Sequence, residues 1–338
     1  MQNRKILGIV ITYKETKMAE KAIRSLVNAD VDVSLVFNGW SENYSSWISK
    51  NESHIDFKFL NNSNIGFCRG NNQAMKLAIN KRYDYVFLLN NDAWVEEDCI
   101  YELVKEMERY DKLGMVQPKV YKAWNDKILD TTGLIFRYGD KYSWTYGLGY
   151  VIDRGQNECD EGQYDELSDV IGCCACAVLY RVHMLKRVGL FWEKLWSMGE
   201  DVELSWRAYK HGWKAKFVPS AIAYHWRGYS LSKHNNRSEN TPLKKLWDVL
   251  GYRNWTLTLA RHGNQRQKLF TSAMWSYYGC KSWVGKRLGR NNVGGYYIWL
   301  CSLALVSEKY QLKMEEAYCQ LFKECNIEVD DRCRSIEQ

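Results

Sequence analysis

The chain has 338 residues, 46% hydrophobic and 26% charged, with 3 prolines, which excludes a disordered or collagen-like protein and suits one large α/β domain or a catalytic domain with an extension. Its 11 cysteines are irregularly spaced without paired C-x-x-C ribbons, so neither a zinc ribbon nor a disulfide framework is expected and the thiols read as reduced in a cytoplasm. The net charge of +7 is uneven: Leu231 to Arg290 carries 12 Lys and Arg against Glu239 and Asp248, so that segment is +10 and the rest of the chain −3.

In chain order, Lys5 to Thr12 reads as a fully buried strand, too short and too soon followed by charge for a secretory signal. Met18, Ala22, Ile23 and Leu26 give Met18 to Asn28 a helical spacing, Val31 to Phe37 alternates as a strand, and Phe57 to Leu60 is a short third strand. Asn71 to Ile79 is helical, Tyr85 to Leu89 is a fourth buried strand, and Cys99 to Tyr110 is a helix with Asp98 as its N-cap. Strands alternating with helices imply parallel strands joined by right-handed crossovers, with ligands beyond the carboxyl ends of the strands. Gly114 to Val120 is another strand, and Thr131 to Tyr150 is aromatic and glycine-rich without a clear period. Asp153 to Asp169, with seven carboxylates in 17 residues, reads as a polar loop, and Val170 to Tyr180 as a buried run of small residues. Helices follow at His183 to Val188 and at Val202 to His211, the second closed by Gly212, then short strands at Lys216 to Val218 and Ala221 to Tyr224. From about Leu243 the pattern is helical, and its basic residues are interleaved with Trp247, Trp255, Trp275, Tyr277, Tyr278 and Trp283. That mixture fits an anionic membrane surface or a nucleic acid, and equally a solvated basic face over core aromatics. The most apolar stretch there, Tyr296 to Val306, has eleven residues, short of the ~20 a spanning helix needs.

Four segments carry chemistry. In LLNNDAWV a hydrophobic strand runs into Asn90, Asn91 and Asp92; a strand-ending carboxylate can hold a hard cation, and can equally close an Asx-turn. In NIGFCRGNNQAM, Gly66 and Gly70 precede a helix, where the backbone can approach an anionic ligand closely or simply turn. In SMGEDVELSWR, Glu200 and Asp201 open a helix as dipole partners or as a general base and its neighbour. In AYHWRGYS, His225 closes a short strand ahead of Arg227, as a metal ligand or as a satisfied structural histidine.

Taken in order, these segments resemble the inverting glycosyltransferases of family 2, over roughly residues 4 to 230. The matching motifs are ITYK at Ile11 to Lys14, NIGFCRGNN, LLNND, GEDVELSWR and HWRGYS, and they look most like the bacterial rhamnosyltransferase-type branch. The resemblance implies an α/β fold of GT-A type, a nucleotide-binding domain with a mostly parallel central sheet flanked by helices, at residues 1–235, with a helical extension at 236–338. It implies that Asp92 and His225 hold Mg²⁺ or Mn²⁺ on a donor diphosphate, with Asn90 in place of a first acid. Asp201 becomes the catalytic base and Glu200 its neighbour. Thr12, Tyr13, Asn38, Asn64, Gly66, Arg69, Gly70, Asn90, Asn91 and Arg227 fall where the family holds the nucleotide sugar. Phe37-Asn38 departs from the family's Asp-Asn, which leaves the base contact open, and Cys174-Ala175-Cys176 replaces a small Ser-Gly-Ala segment and reads as packing under the donor sugar.

The implied activity is transfer of a sugar, a deoxysugar such as rhamnose first among donors, to a hydroxyl of a surface glycan or lipid-linked oligosaccharide. A cytoplasmic protein touching the inner face of the membrane through its basic region fits that acceptor, and no specific nucleic acid is expected. The rival is an inactive glycan- or nucleic-acid-binding protein of the same fold. A nucleotidyltransferase is less apt, because TYKETK after the first strand lacks the glycine-rich, lysine-bearing loop such an enzyme would show.

Overall fold

A computed structural model of the chain describes residues 4–137, 150–227, 242–287 and 294–324. Among these, one compact unit takes in residues 4–137, 150–196 and 200–227, and a second takes in 197–199, 242–287 and 294–324. The expected boundary at residues 235 and 236 lies outside the described residues.

The first unit follows the α/β expectation. Strands β1 (Ile6–Tyr13), β2 (Asp32–Asn38), β3 (Phe57–Asn61) and β4 (Tyr85–Asn90) pair in parallel, in the order β3-β2-β1-β4. Helix α1 (Lys17–Asn28) buries Ala19, Ala22, Ile23 and Leu26, the i, i+3, i+4, i+7 stripe visible in its sequence. Each buried Ile or Leu there contributes roughly 1.5–3 kcal/mol. A short α2 (Ser45–Asn51) covers Phe37, whose ring meets Tyr44 and Trp47. The sheet then continues with mixed pairing. β11 (Ala177–Arg181) runs antiparallel to β4 and to β6 (Leu113–Lys122), and β12 (Lys214–His225) runs parallel to β6. Short strands β5 (Ala93–Val95) and β10 (Asp169–Val170) pair with β12, and β7 (Asn125–Thr131) pairs with β6; β8 (Leu134–Arg137) and β9 (Tyr150–Asp153) form a separate ribbon.

Several local expectations change. Helix α3 (Phe67–Asn80) starts four residues earlier than its spacing suggested. Helix α4 (Cys99–Glu108) has Asp98 at its N-cap position, yet the Asp98 side chain makes no capping bond. The two short strands expected at 216–224 are one strand, β12, carried past Pro219 by a register shift between Val218 and Ile222. The acidic stretch 153–169 is not a simple polar loop: Asp153 ends β9, Arg154 is buried, and Lys119 is clamped between Asp160 and Asp165. Helices α5 (Val182–Val188) and α6 (Glu200–Lys210) complete the unit. Gly212, at φ +78°, ends α6, with the Trp213 N–H donating back to the Ala208 carbonyl at 3.1 Å.

The second unit is helical: α7 (Pro242–His262), α8 (Gln265–Arg287), α9 (Gly294–Ala304) and α10 (Glu308–Glu324). Its core contains a buried ion pair, Arg253 to Glu315 at 2.6 Å, with the Arg253 guanidinium 4.2 Å from the centre of the Tyr318 ring. Cys319 is disulfide-bonded, so the expectation of fully reduced thiols fails there. Among the described residues, no helix is long and apolar enough to cross a membrane.

Candidate active site

Backbone pairing assembles the centre. β5 runs antiparallel to the end of β12 so that Ala93 faces His225, and the Trp226 N–H donates to the Asp92 carbonyl at 2.9 Å. This puts the Asp92 carboxylate 3.2 Å from His225 Nε2, with the Asn90 amide nitrogen 3.4 Å from the same atom. The other ring nitrogen, Nδ1, meets the Asp130 carboxylate at 2.8 Å. Asp130, near the end of β7, is fully buried and also accepts from Lys122 Nζ at 2.5 Å and Arg227 Nε at 2.8 Å. Arg227 reaches onward to Asp153 at 3.0 Å.

Burial alone would raise the Asp130 pKa, but His225 and Arg227 outweigh it and hold the carboxyl well below the ordinary range. Burial opposes charge on His225; Cys176, Asp130 and Asp92 overcome it, so the imidazole titrates well above its usual value. The pocket thus favours a positive charge. Asp92, Asp130, Asp153 and Asp201, with Glu200 buried beside the last, outnumber Lys122 and Arg227, and a divalent cation would offset part of that surplus negative charge. The donor set also fits one: a carboxylate, and an imidazole whose far nitrogen is tied to a buried carboxylate, an arrangement that fixes a histidine as a ligand.

Asp201 lies in the first turn of α6. Its two oxygens accept backbone N–H bonds, from Val202 at 2.8 Å and from Ala175 at 3.2 Å. Burial first, and Asp153 second, raise its pKa, while those two amides and Arg227 pull it back. A carboxylate held rigidly with a raised pKa suits proton abstraction. Glu200 is buried beside it. The rest of that motif is structural. Glu203 and Arg207 form a buried pair at 2.7 Å, and Arg207 also donates to the carbonyls of Val188 and Leu190.

On the β1–β3 side the groups are neutral. Asn38 donates to Asn64 Oδ1 at 3.3 Å and to the Gly66 carbonyl at 3.4 Å, and accepts from Asn61 at 3.1 Å. The Asn91 amide donates to Thr12 Oγ1 at 3.2 Å. Gly66 caps α3 at φ +85°, where a Cβ would lie 2.5 Å from the Trp196 ring. Gly70 does not precede the helix as the sequence suggested. It sits inside α3, where a Cβ would lie 2.4 Å from Ile11 Cδ1, so its role there is close packing on β1. Tyr13 and Arg69 are exposed.

The structure therefore joins Asp92, His225, Asn90 and Arg227 in one cluster, Asn91 with Thr12, and Asn38 with Asn64 and Gly66. Gly228 to Ser230 of the HWRGYS motif lie outside the described residues. Sequence reasoning missed Asp130, Lys122 and Asp153. One signal was present: Asp130 ends a short apolar run as Asp92 does, in KILDTT. Cys176 packs in the core as expected, and its sulfur also stands near His225 and Asp130.

Comparison with known proteins gives the family and the fold. Poly-beta-1,6-N-acetyl-D-glucosamine synthase of Staphylococcus epidermidis is 22% identical over 221 residues, 64% of this chain and 48% of that protein, so the chain spans about half the length of the curated relatives it matches. Among solved structures, S. aureus TarS 1-349 superposes with a TM-score of 0.52 at 13% identity, covering 98% of this chain and 90% of that one. GalNAc-T7 with UDP, GalNAc and Mn²⁺ reaches a TM-score of 0.57 at 11% identity, covering 97% of this chain and 59% of that one. Both carry the GT-A fold expected from the motifs. The family model for glycosyl transferase family 2 matches residues 9–189, more than half of the chain, and the chain belongs to that family.

Proposed function

We propose that the chain is a metal-dependent, inverting glycosyltransferase that moves a sugar from a nucleotide-diphosphate donor to an acceptor hydroxyl. The observation that carries this reading is the Asp92–His225–Asp130 relay at the ends of β5, β12 and β7, in which one imidazole stands between two carboxylates. Asp92 and His225 Nε2 would hold Mg²⁺ or Mn²⁺, and GalNAc-T7, of the same fold, binds UDP with Mn²⁺. Such an ion neutralises charge that develops on a leaving diphosphate. Asp130 fixes the imidazole through Nδ1, so that Nε2 faces the ligand position. Asp201 accepts the proton of the attacking hydroxyl; a single displacement from the side opposite the leaving group inverts the anomeric centre. Asn38, Asn64, Gly66, Thr12 and Asn91 line the nucleotide side, with Tyr13, Arg69 and Arg227 as further contacts and Glu200 supporting Asp201.

The leading donor is a deoxysugar nucleotide such as dTDP-rhamnose, on the motif resemblance. The acceptor is a surface or lipid-linked glycan, in keeping with the polysaccharide synthase relative. We assign residues 1–235 to transfer and 236–338 to docking on an anionic surface through their basic and aromatic residues. Binding of the full chain to anionic but not neutral liposomes at low salt checks the last assignment.

The test of the whole reading is a thermal-shift panel of dTDP-, UDP- and GDP-sugars with and without Mn²⁺, followed by transfer assays. A ligand that binds only the folded state raises the melting midpoint. Asp201→Asn should keep the metal-dependent donor shift and lose about 10²- to 10⁴-fold in kcat. Transfer by that variant near the wild-type rate removes Asp201 from the mechanism. No shift with any donor leaves a fold-only binding protein.

A further inference from the structure

Cys176 stands where the motifs ask only for a small packing residue. Its sulfur, a ring nitrogen of His225 and a carboxylate oxygen of Asp130 lie within 4.8 Å of one another, and all three side chains are buried. The sheet fixes the thiol's place: the Cys176 carbonyl accepts the Asn90 N–H at 2.9 Å, and the next residue opens β11. A second cysteine, Cys174, lies two residues before it.

Sulfur, imidazole nitrogen and one carboxylate oxygen are donors that suit zinc, cobalt or cadmium, whereas a thiolate is a poor ligand for magnesium. Around one tetrahedral ion, with bonds of ~2.3 Å to sulfur and ~2.0–2.2 Å to nitrogen and oxygen, such donors stand ~3.3–3.7 Å apart. Closing the triad on an ion therefore takes movements of about 1 Å. Lys122 leaves one Asp130 oxygen to the ion, and Arg227 has to give way at it. Lys122 binds Asp130 through Oδ1 at 2.5 Å, whereas Oδ2 is the oxygen that faces His225 Nδ1 at 2.8 Å. Arg227 Nε leans on both oxygens, at 2.8 Å and 3.0 Å.

We propose that Cys176, His225 and Asp130 bind a thiophilic divalent ion of the zinc type. The ion claims the imidazole that the proposed catalytic cation also needs, so the two exclude one another. Binding forms sulfur–metal and nitrogen–metal bonds and releases to solvent the Cys176 thiol proton and the proton on the ligating His225 nitrogen; thiolate and carboxylate then balance the two charges of the ion. The site itself does not depend on the transfer reaction, and only the exclusion rests on the function proposed above.

Cobalt(II) chloride is the probe, titrated into the metal-free full chain. The expected result is a thiolate-to-cobalt charge-transfer band with tetrahedral visible bands, saturating at one ion per chain. Cys176→Ser and Cys176→Ala should each abolish the thiolate band while the melting temperature stays near that of wild type; Cys174→Ser should keep it. Zinc should suppress Mn²⁺-supported transfer in wild type. In Cys176→Ser that suppression should need at least about tenfold more zinc, the loss that removing even an outer-shell partner brings. Absence of a thiolate band in wild type, or a band that survives Cys176→Ser, overturns the site. A Cys176-dependent band without zinc inhibition overturns the exclusion. A band in a protein that transfers no sugar with any metal counts against the transferase reading and not against the site.

Discussion

The Glu203–Arg207 and Asp130–Arg227 pairs of the first unit each hold a fully buried carboxylate, and they are built for opposite ends. In the Glu203–Arg207 pair, four residues apart on α6, the guanidinium grips both carboxylate oxygens through Nε and Nη2 and donates its other N–H groups to the carbonyls of Val188 and Leu190. One negative charge meets one positive charge, and the pair stitches α6 to the turn after α5. The Asp130–Arg227 pair, 97 residues apart, is open. Asp130 also serves Lys122 and His225, Arg227 also serves Asp153, and His225 looks out on Asp92. The buried acid does not separate the two; the setting of the arginine does, buried at Arg207 and exposed at Arg227, and so does charge, because the second pair belongs to a group in which carboxylates outnumber cations.

The largest effect that sharpens this contrast is expected from Asp130→Asn. Removing one partner of a buried ion pair costs about 3–5 kcal/mol, and here Lys122 is left nearly buried without its acid. Imidazole orientation is lost at the same time, so manganese affinity should fall a further ~10–100-fold, as losses of outer-shell partners do. Chemical unfolding and manganese titration measure the two separately.

Arg207→Met comes next. It should lower stability by a similar few kcal/mol, about 3–5 at most, because Glu203 is left buried without its guanidinium. Its folded fraction should keep the wild-type manganese affinity and the metal-dependent donor shift. If Arg207→Met weakens manganese as much as Asp130→Asn does, the distinction between a closed pair and an open one fails.

Legibility in the sequence followed the same division. The positions of Asn90 to Asp92 and of Glu200 and Asp201 stood out because each is a local event, an apolar run or a helix start that ends abruptly in polar residues. Asp130 did not stand out. NDKILDT alternates poorly, and the partners that give Asp130 meaning arrive from β12, 95 residues later. β12 itself read as two strands, because Pro219 breaks the run and only the pairing with β6 and β5 carries the backbone across. α3 read short because Gly70, a poor helix former, reads in the sequence as preceding the helix; tertiary packing overrides that preference, with Gly70 against Ile11 and the Asn72 amide bonded to the Phe191 carbonyl at 2.9 Å. The thiols were read from size alone, which says nothing of a histidine brought in from a distant strand.

The smallest effect is the most diagnostic. Asp153 links the open centre to the base: it pairs with Arg227 at 3.0 Å, and after burial it is the leading cause of the raised Asp201 pKa. In Asp153→Asn the ion pair lost is partly exposed on the Arg227 side, so stability should change by no more than about 1 kcal/mol. The pH–rate profile should change more clearly. Asp201 acts as a base only when ionised, so transfer rises with pH through its folded pKa, which lies above the ordinary aspartate value. Removing a neighbouring negative charge makes ionisation easier. Arg227, freed of one acid, leans further in the same direction. The acid limb of kcat should therefore move to lower pH in Asp153→Asn, with the plateau rate and the manganese requirement retained. A limb that stays in place would mean that burial alone sets the base, and that the open cluster serves the metal position without reaching Asp201. A limb that moves, set beside an unmoved limb in Arg207→Met, would mean that the surplus charge of one centre tunes both halves of the reaction.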